Sequence, residues 1–200
     1  IWEIGNAGQL YWFAELVKGG QTTASAVLTE NITVNSGVLT ADGALNSGSF
    51  RSWNPIGHYD YMYEGTFDGC GHTVSGLYMN ARAKYCALFG YVGEGGTVRN
   101  LGLTDSYIKG DLVIGGIAAS CSGLIENCFN TATVIGINEI GGISGSLFNS
   151  GVIRSCYNAG RIQDTGSAVD IAGIVSYVNS SATVENCFYL DNSETDLYDG

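Results

Sequence analysis

Gly123-Leu-Ile-Glu-Asn-Cys-Phe-Asn130 returns as Gly151-Val-Ile-Arg-Ser-Cys-Tyr-Asn158 and, shortened, as Ala182-Thr-Val-Glu-Asn-Cys-Phe188, with a looser copy at Gly96-Thr-Val-Arg-Asn-Leu-Gly102. A second refrain runs between the copies: Ile114-Gly-Gly-Ile117, Ile140-Gly-Gly-Ile143 and Ile171-Ala-Gly-Ile174, with Tyr85-Cys-Ala-Leu88 as its earliest member. Gly96, Gly123, Gly151 and Ala182 are separated by 27, 28 and 31 residues. A period of this size means stacked coils, because one repeat cannot bury its apolar face alone and must be covered by its neighbours.

Composition agrees with an all-β chain. Of 200 residues 45% are apolar and 14% charged, enough for one sizeable core and against disorder. Thirty glycines, a single proline (Pro55) and short runs rich in Val, Ile, Thr and Tyr favour brief strands joined by tight turns. Eight basic against nineteen acidic residues give a net charge of −11, which repels phosphate backbones and anionic lipid and so argues against nucleic acid as a partner. No apolar run is long enough to insert in a membrane. Ile1-Trp2-Glu3 lacks the basic start of a signal peptide, and an excised piece of a larger processed protein is the expectation.

The expected organisation is one β-helix domain over residues 1–200. It comprises a helical cap over 1–20, irregular first coils over 21–84, regular repeats over 85–190 and an acidic tail or linker over 191–200. Asn6-Ala-Gly-Gln9 reads as a capping box, and Leu10, Phe13, Leu16 and Val17 recur at helical spacing before Lys18-Gly19-Gly20. A helix over 7–18 is expected to lid the exposed end of the first coil. Residues 35–50 read as an excursion loop. Three strands per coil and five to six coils are expected, a stack of roughly 25–30 Å.

Register then places side chains in columns. Arg99, Glu126, Arg154 and Glu185 form a ladder of alternating charge; Asn100, Asn127, Ser155 and Asn186 stack at a bend. Phe129, Tyr157 and Phe188 form an aromatic column beside an inward ladder of Leu101, Cys128, Cys156 and Cys187. Cys70, Cys86 and Cys121 fall outside that ladder. A Cys70–Cys86 disulfide is one expectation, though the cysteines alone do not decide the redox compartment.

These motifs resemble the GLUG-type repeat of bacterial surface and secreted proteins, over most of the chain. Gly65-Thr-Phe-Asp-Gly-Cys-Gly-His-Thr-Val-Ser-Gly-Leu77 is similar to the family's lead-in. Ala87-Leu-Phe-Gly90, Gly115-Gly-Ile-Ala118, Gly141-Gly-Ile-Ser-Gly145 and Ala172-Gly-Ile-Val175 are similar to its glycine-hydrophobic core, and Asn6-Ala-Gly-Gln-Leu10 to the cap that precedes such arrays. The resemblance implies a right-handed single-stranded parallel β-helix on an envelope protein. It also implies company with adhesins, glycan-degrading multidomain enzymes or IgA-cleaving metallopeptidases. Cys70 and Cys86 stand where the pattern usually shows Asn and Gly, and a chain-specific disulfide would explain both departures. The family has no shared catalytic motif to transfer.

The residues themselves give little purchase for catalysis. Polysaccharide lyase chemistry needs a base and clustered cations, and the basic residues are scattered. Asp60, Glu64 and Asp68 are the candidate pair-forming carboxylates for glycoside hydrolysis, beside Tyr59, Tyr61 and Tyr63. His58 and His72 form no zinc motif, and Ser144 in Gly141-Gly-Ile-Ser-Gly145 only superficially resembles a nucleophile elbow. Asp191, Glu194 and Asp196 are weak calcium candidates against the reading of a solvated linker. Otherwise no metal or cofactor is expected.

Recognition is the remaining function. Trp53, Tyr59, Tyr61 and Tyr63 crowd a loop-rich stretch, where exposed rings suit sugar stacking or packing against a host surface protein, and where rings can also simply cover the coil. The sequence therefore points to a non-catalytic adhesion, binding or display module of an extracellular or cell-surface bacterial protein. The alternative is a substrate-positioning domain attached to an enzyme, and a polysaccharide-active enzyme comes third.

Overall fold

The computed structural model describes residues 1–166 and 170–190. The chain winds into a parallel β-solenoid of about seven turns, its first sheet holding seven strands in the order of the turns. The turn beginning at Thr97 shows the plan: Thr97–Arg99, Gly102–Thr104, Tyr107–Lys109, Val113–Gly115 and Ala118–Cys121 each pair with the same segment one turn before and one turn after.

Each full turn thus has five short strands, not three, and there are about seven turns, not five to six. Two features hid from the repeat pattern. Trp2–Ile4, ahead of the helix, already forms the first rung by pairing in parallel with Ala26–Leu28. The corners also cut the chain more often than its hydrophobic pattern shows. Cys70, Asn100, Asn127, Ser155 and Asn186 all adopt φ of 51–53° at the corner between the first and second sheets. That left-handed conformation is one Asn tolerates better than most residues.

The interior is a stack of aliphatic rungs. Val98, Ile125 and Ile153 face inward from the first sheet, Ile108, Val134 and Ile162 from the third, and Ile114, Ile140 and Ile171 from the fourth. Leu101, Cys128 and Cys156 form the buried ladder expected of them, and Cys187 ends it half-exposed. The Ile-Gly-Gly-Ile refrain has a steric cause. A Cβ on the second glycine, Gly116 or Gly142, would collide with the side-chain amide of Asn130 or Asn158, which is buried within the coil. Those asparagines form a ladder of their own, in which Asn130 Nδ2 donates to Asn158 Oδ1 at 2.9 Å.

Ala7–Lys18 is the helix, within the expected bounds. Asn6 Oδ1 accepts from the Gln9 N–H at 3.0 Å while Gln9 Oε1 accepts from the Gly5 N–H at 2.7 Å, a reciprocal cap. Its buried face, Leu10, Phe13, Ala14 and Val17, joins the solenoid core, with the Phe13 ring 6.1 Å from Tyr63 and 5.9 Å from Phe67. The 35–50 excursion lies against the third sheet, where Val38 packs with Tyr107 and Ile135. It is pinned by Asp105, whose carboxylate accepts from the N–H groups of Gly37, Val38 and Leu39 at 2.9–3.3 Å.

The charge ladder has the expected register and one more rung, because Asp68 pairs with Arg99 below Glu126, Arg154 and Glu185. Asp68, 15% exposed, accepts from Arg99 Nε at 2.9 Å, Asn100 Nδ2 at 3.0 Å and the Cys70 N–H at 2.9 Å. Burial opposes its ionisation, but these donors outweigh it and hold the carboxyl below its ordinary value of 3.8. A depressed carboxyl contributes stability above the unfolded value and loses it as pH falls. The wild type should therefore lose melting temperature below about pH 4 more steeply than Asp68→Asn, and Asp68→Ala should cost about 2 kcal/mol at neutral pH. Equal pH profiles for wild type and Asp68→Asn would refute this role.

All six cysteines are free, which corrects the expected Cys70–Cys86 bridge. Cys70 is exposed at the left-handed corner, whereas Cys86 is buried on the fourth sheet, so the two departures from the repeat pattern have separate local settings. Burial pushes the Cys86 thiol up to about 11 and Cys121 to about 12. A thiol reagent should label Cys70 first in the folded protein, Cys187 more slowly, and all six only after denaturation without reductant; fewer than six would restore a disulfide.

Candidate functional site

Residues 56–63 run beside Phe89–Val92 in the fifth sheet without forming a full strand. Ile56 pairs with Phe89 and Tyr63 with Val92; Ile56 and Tyr63 are seven positions apart but their partners Phe89 and Val92 only three, so four extra residues must bulge outward. The bulge begins at Gly57, φ +75°, and closes by reciprocal backbone hydrogen bonds of 3.1 Å between His58 and Tyr61. The His58 and Tyr61 rings stack at 5.4 Å, and Asp60 N–H donates to His58 Nδ1 at 3.4 Å.

This register divides the four candidate aromatics. Tyr63 faces inward, wholly buried against Phe13 and Phe89, and its hydroxyl has no hydrogen-bond partner among the described residues; burial raises its pKa. Trp53 is 2% exposed, donates from Nε1 to the Leu88 carbonyl at 3.2 Å, and lies 5.1 Å from the Tyr11 ring, over which Arg51 sits at 3.7 Å. Tyr63 is therefore a core residue and Trp53 a buried floor: of the two readings the sequence left open for these rings, both take the covering one and neither offers an exposed face. Tyr59, 59% exposed, and half-buried Tyr61 are what the bulge presents.

Between the bulge and the next turn lies a hollow of about 630 Å³, lined by Trp53, Pro55, His58, Tyr59, Met79 and Tyr85 among others. Tyr85 comes from the early Ile-Gly-Gly-Ile-like refrain, and the sequence reading missed it as a site residue. Its ring lies edge-on to His58 at 6.0 Å, while Tyr59 meets Tyr91 edge-on at 6.3 Å. Burial first, then Tyr91, Tyr59 and Glu139 nearby, raise the Tyr85 hydroxyl. The signal that could have found Tyr85 and Tyr91 is register: both stand in the turn that pairs with the bulge, some thirty residues away in sequence.

The other candidates do not assemble into a catalytic set. Asp60 is engaged with His58, Glu64 Oε2 accepts from the Gly95 N–H at 2.7 Å, and Asp68 belongs to the charge ladder. The His72 backbone closes the turn at Gly69 and Gly102, and Ser144 is buried, its hydroxyl donating to the Ser146 carbonyl at 3.0 Å. Among the described residues no group of three His, Cys, Asp or Glu could hold a metal ion. Asp191, Glu194 and Asp196 lie outside the described residues.

No family model matches the chain. It is 34% identical over 121 residues to Halomucin of Haloquadratum walsbyi, covering 56% of this chain and 1% of that protein. It is 37% identical over 79 residues to a "Putative Gly-rich membrane protein" of Evansella cellulosilytica, covering 38% of this chain and 9% of that one. The chain thus spans a small fraction of the curated relatives it matches. Among solved structures it is similar, with a TM-score of 0.60 and 20% identity, to a "putative immunoglobulin A1 protease from Bacteroides ovatus", over 95% of this chain and 75% of that one. At that identity the likeness shows the fold alone. No helix among the described residues is long and apolar enough to cross a membrane.

Proposed function

We propose that this chain is a non-catalytic binding module, of the GLUG-like repeat type, that serves adhesion or display on a larger secreted or cell-surface bacterial protein. The observation that carries the reading is the four-residue bulge: it breaks an otherwise regular turn, is closed by its own hydrogen bonds, and presents Tyr61 and Tyr59, the latter on the rim of a hollow. Rigid rings on a rigid stack offer area for a sugar ring or a host protein at little ordering cost. The small share of each relative that the chain covers fits a module within a long protein.

A glycan and host-protein array probed with the folded chain tests this. A selective hit that Tyr59→Ala or Tyr61→Ala abolishes without lowering the melting temperature is expected; a blank array, or loss of binding only together with stability, would sink the proposal. The second reading, substrate positioning for an attached enzyme, draws on the protease named for the solved neighbour. It predicts that deleting these turns from the parent protein raises KM and leaves kcat unchanged.

A further inference from the structure

Beyond Tyr59 the surface falls into a second hollow of about 450 Å³. Its walls are two register columns on adjacent sheets. Tyr85, Val113 and Glu139 align across three turns of the fourth sheet, and Tyr91, Ser120 and Ser146 across the same turns of the fifth. Tyr59 closes one end and Phe148 with Asn149 the other, Phe148 being itself braced by Tyr177 at 5.2 Å. The base is settled: Ser146 and Ser120 hydroxyls bond each other at 3.1 Å, and Ala87, Val113 and Ala119 form a small apolar cluster separate from the main core.

Glu139 is the exception. Its Oε2 is buried with no hydrogen-bond partner among the described residues, and both burial and the charge of Asp170 raise its pKa. A carboxylate oxygen kept from water without a donor costs free energy, even on a half-buried side chain. Among the described residues no Lys or Arg lines the hollow, and Asn149 is held by another carboxylate, donating to Glu94 Oε1 at 2.9 Å. The site therefore repels anions, and none of the hydroxyls around it bonds the buried Oε2.

We infer that this trench binds a short neutral oligosaccharide, with sugar rings packed against Tyr59 and Phe148 and a ring hydroxyl donating to Glu139. The inference rests on the binding-module reading and names its ligand class and site. Shape decides between sugar and cation. The column from Tyr91 to Ser146 spans two inter-strand steps, about 10 Å, and aromatic rings stand at both ends, as a chain of rings requires and a single point charge does not. The exposed Phe129–Tyr157 column makes a poorer platform, because those rings already stack on each other at 5.1 Å and 4°.

Calorimetric titration of the folded chain with neutral gluco-, galacto- and manno-oligosaccharides, sialylated and uronate oligosaccharides, and choline tests the assignment. Binding to a neutral oligosaccharide is expected. Glu139→Gln should weaken it about tenfold while leaving the melting temperature unchanged or higher, since a desolvated charge is removed. Phe148→Ala should weaken it comparably. Binding only to anionic sugars, or only to choline, overturns the inference. So does neutral binding that survives both substitutions but is lost in Lys84→Ala, a residue that lines the first hollow and not the second, which would place the ligand in the first hollow and keep the binding-module reading. A blank here with a protein hit on the array also overturns it alone, whereas a blank on every probe in both experiments overturns both.

Discussion

Gly142→Ala is expected to destabilise the later turns by about 3 kcal/mol or more, the cost of overpacking where neither neighbour can yield. A methyl there would overlap the carbonyl oxygen of Gly173 in the next turn and the Asn158 amide across the coil. Gly116 and Gly173 are under the same constraint from Asn130 and Tyr189, so the column admits no side chain in any of the three refrains. Because each turn touches only its neighbours, the damage should be local. Hydrogen exchange should show protection lost from about residue 130 onward while the helix and first turns keep theirs. A melting temperature within a degree or two of wild type, about the shift that a few tenths of a kcal/mol produces in a chain this size, would refute this account of the refrain.

Asn158→Ala should cost about 3 kcal/mol, and by a different route. Asn158 Oδ1 accepts from Asn130 Nδ2 at 2.9 Å and from the Gly160 N–H at 3.1 Å, all within a buried setting. Truncation strands both donors away from solvent, each costing about 1–3 kcal/mol. Urea unfolding would measure it, and a loss below about 1 kcal/mol would mean that the ladder is not what holds these donors. The two substitutions should also couple. Gly142→Ala with Asn158→Ala should cost less than the sum of the two alone, because removing the amide vacates part of the space the new methyl needs.

The sense of the four aromatic rings depends on sequence and register together. Trp53, Tyr59, Tyr61 and Tyr63 are alike as a string, and nothing in their spacing says which point inward. Pairing of Ile56 with Phe89 and of Tyr63 with Val92 turns Tyr63 into the core and pushes residues 58–61 outward. Glu139 likewise looks like an ordinary acidic residue before a refrain until the stack sets it level with Val113 and Tyr85.

By itself the sequence determined that the chain is a stack of parallel coils, where its helix begins and ends, and which residues share the charge, asparagine, aromatic and cysteine columns. Those properties follow from period and local chemistry, which a string carries in full. Only the tertiary structure decided the five strands per turn, the seven turns and the free thiols of Cys70 and Cys86. It alone also brought Tyr59, Tyr85, Tyr91, Glu139 and Phe148 around one trench. Corner angles and the inward or outward sense of a bulge depend on what the neighbouring turn presents, and that neighbour lies about thirty residues away along the chain.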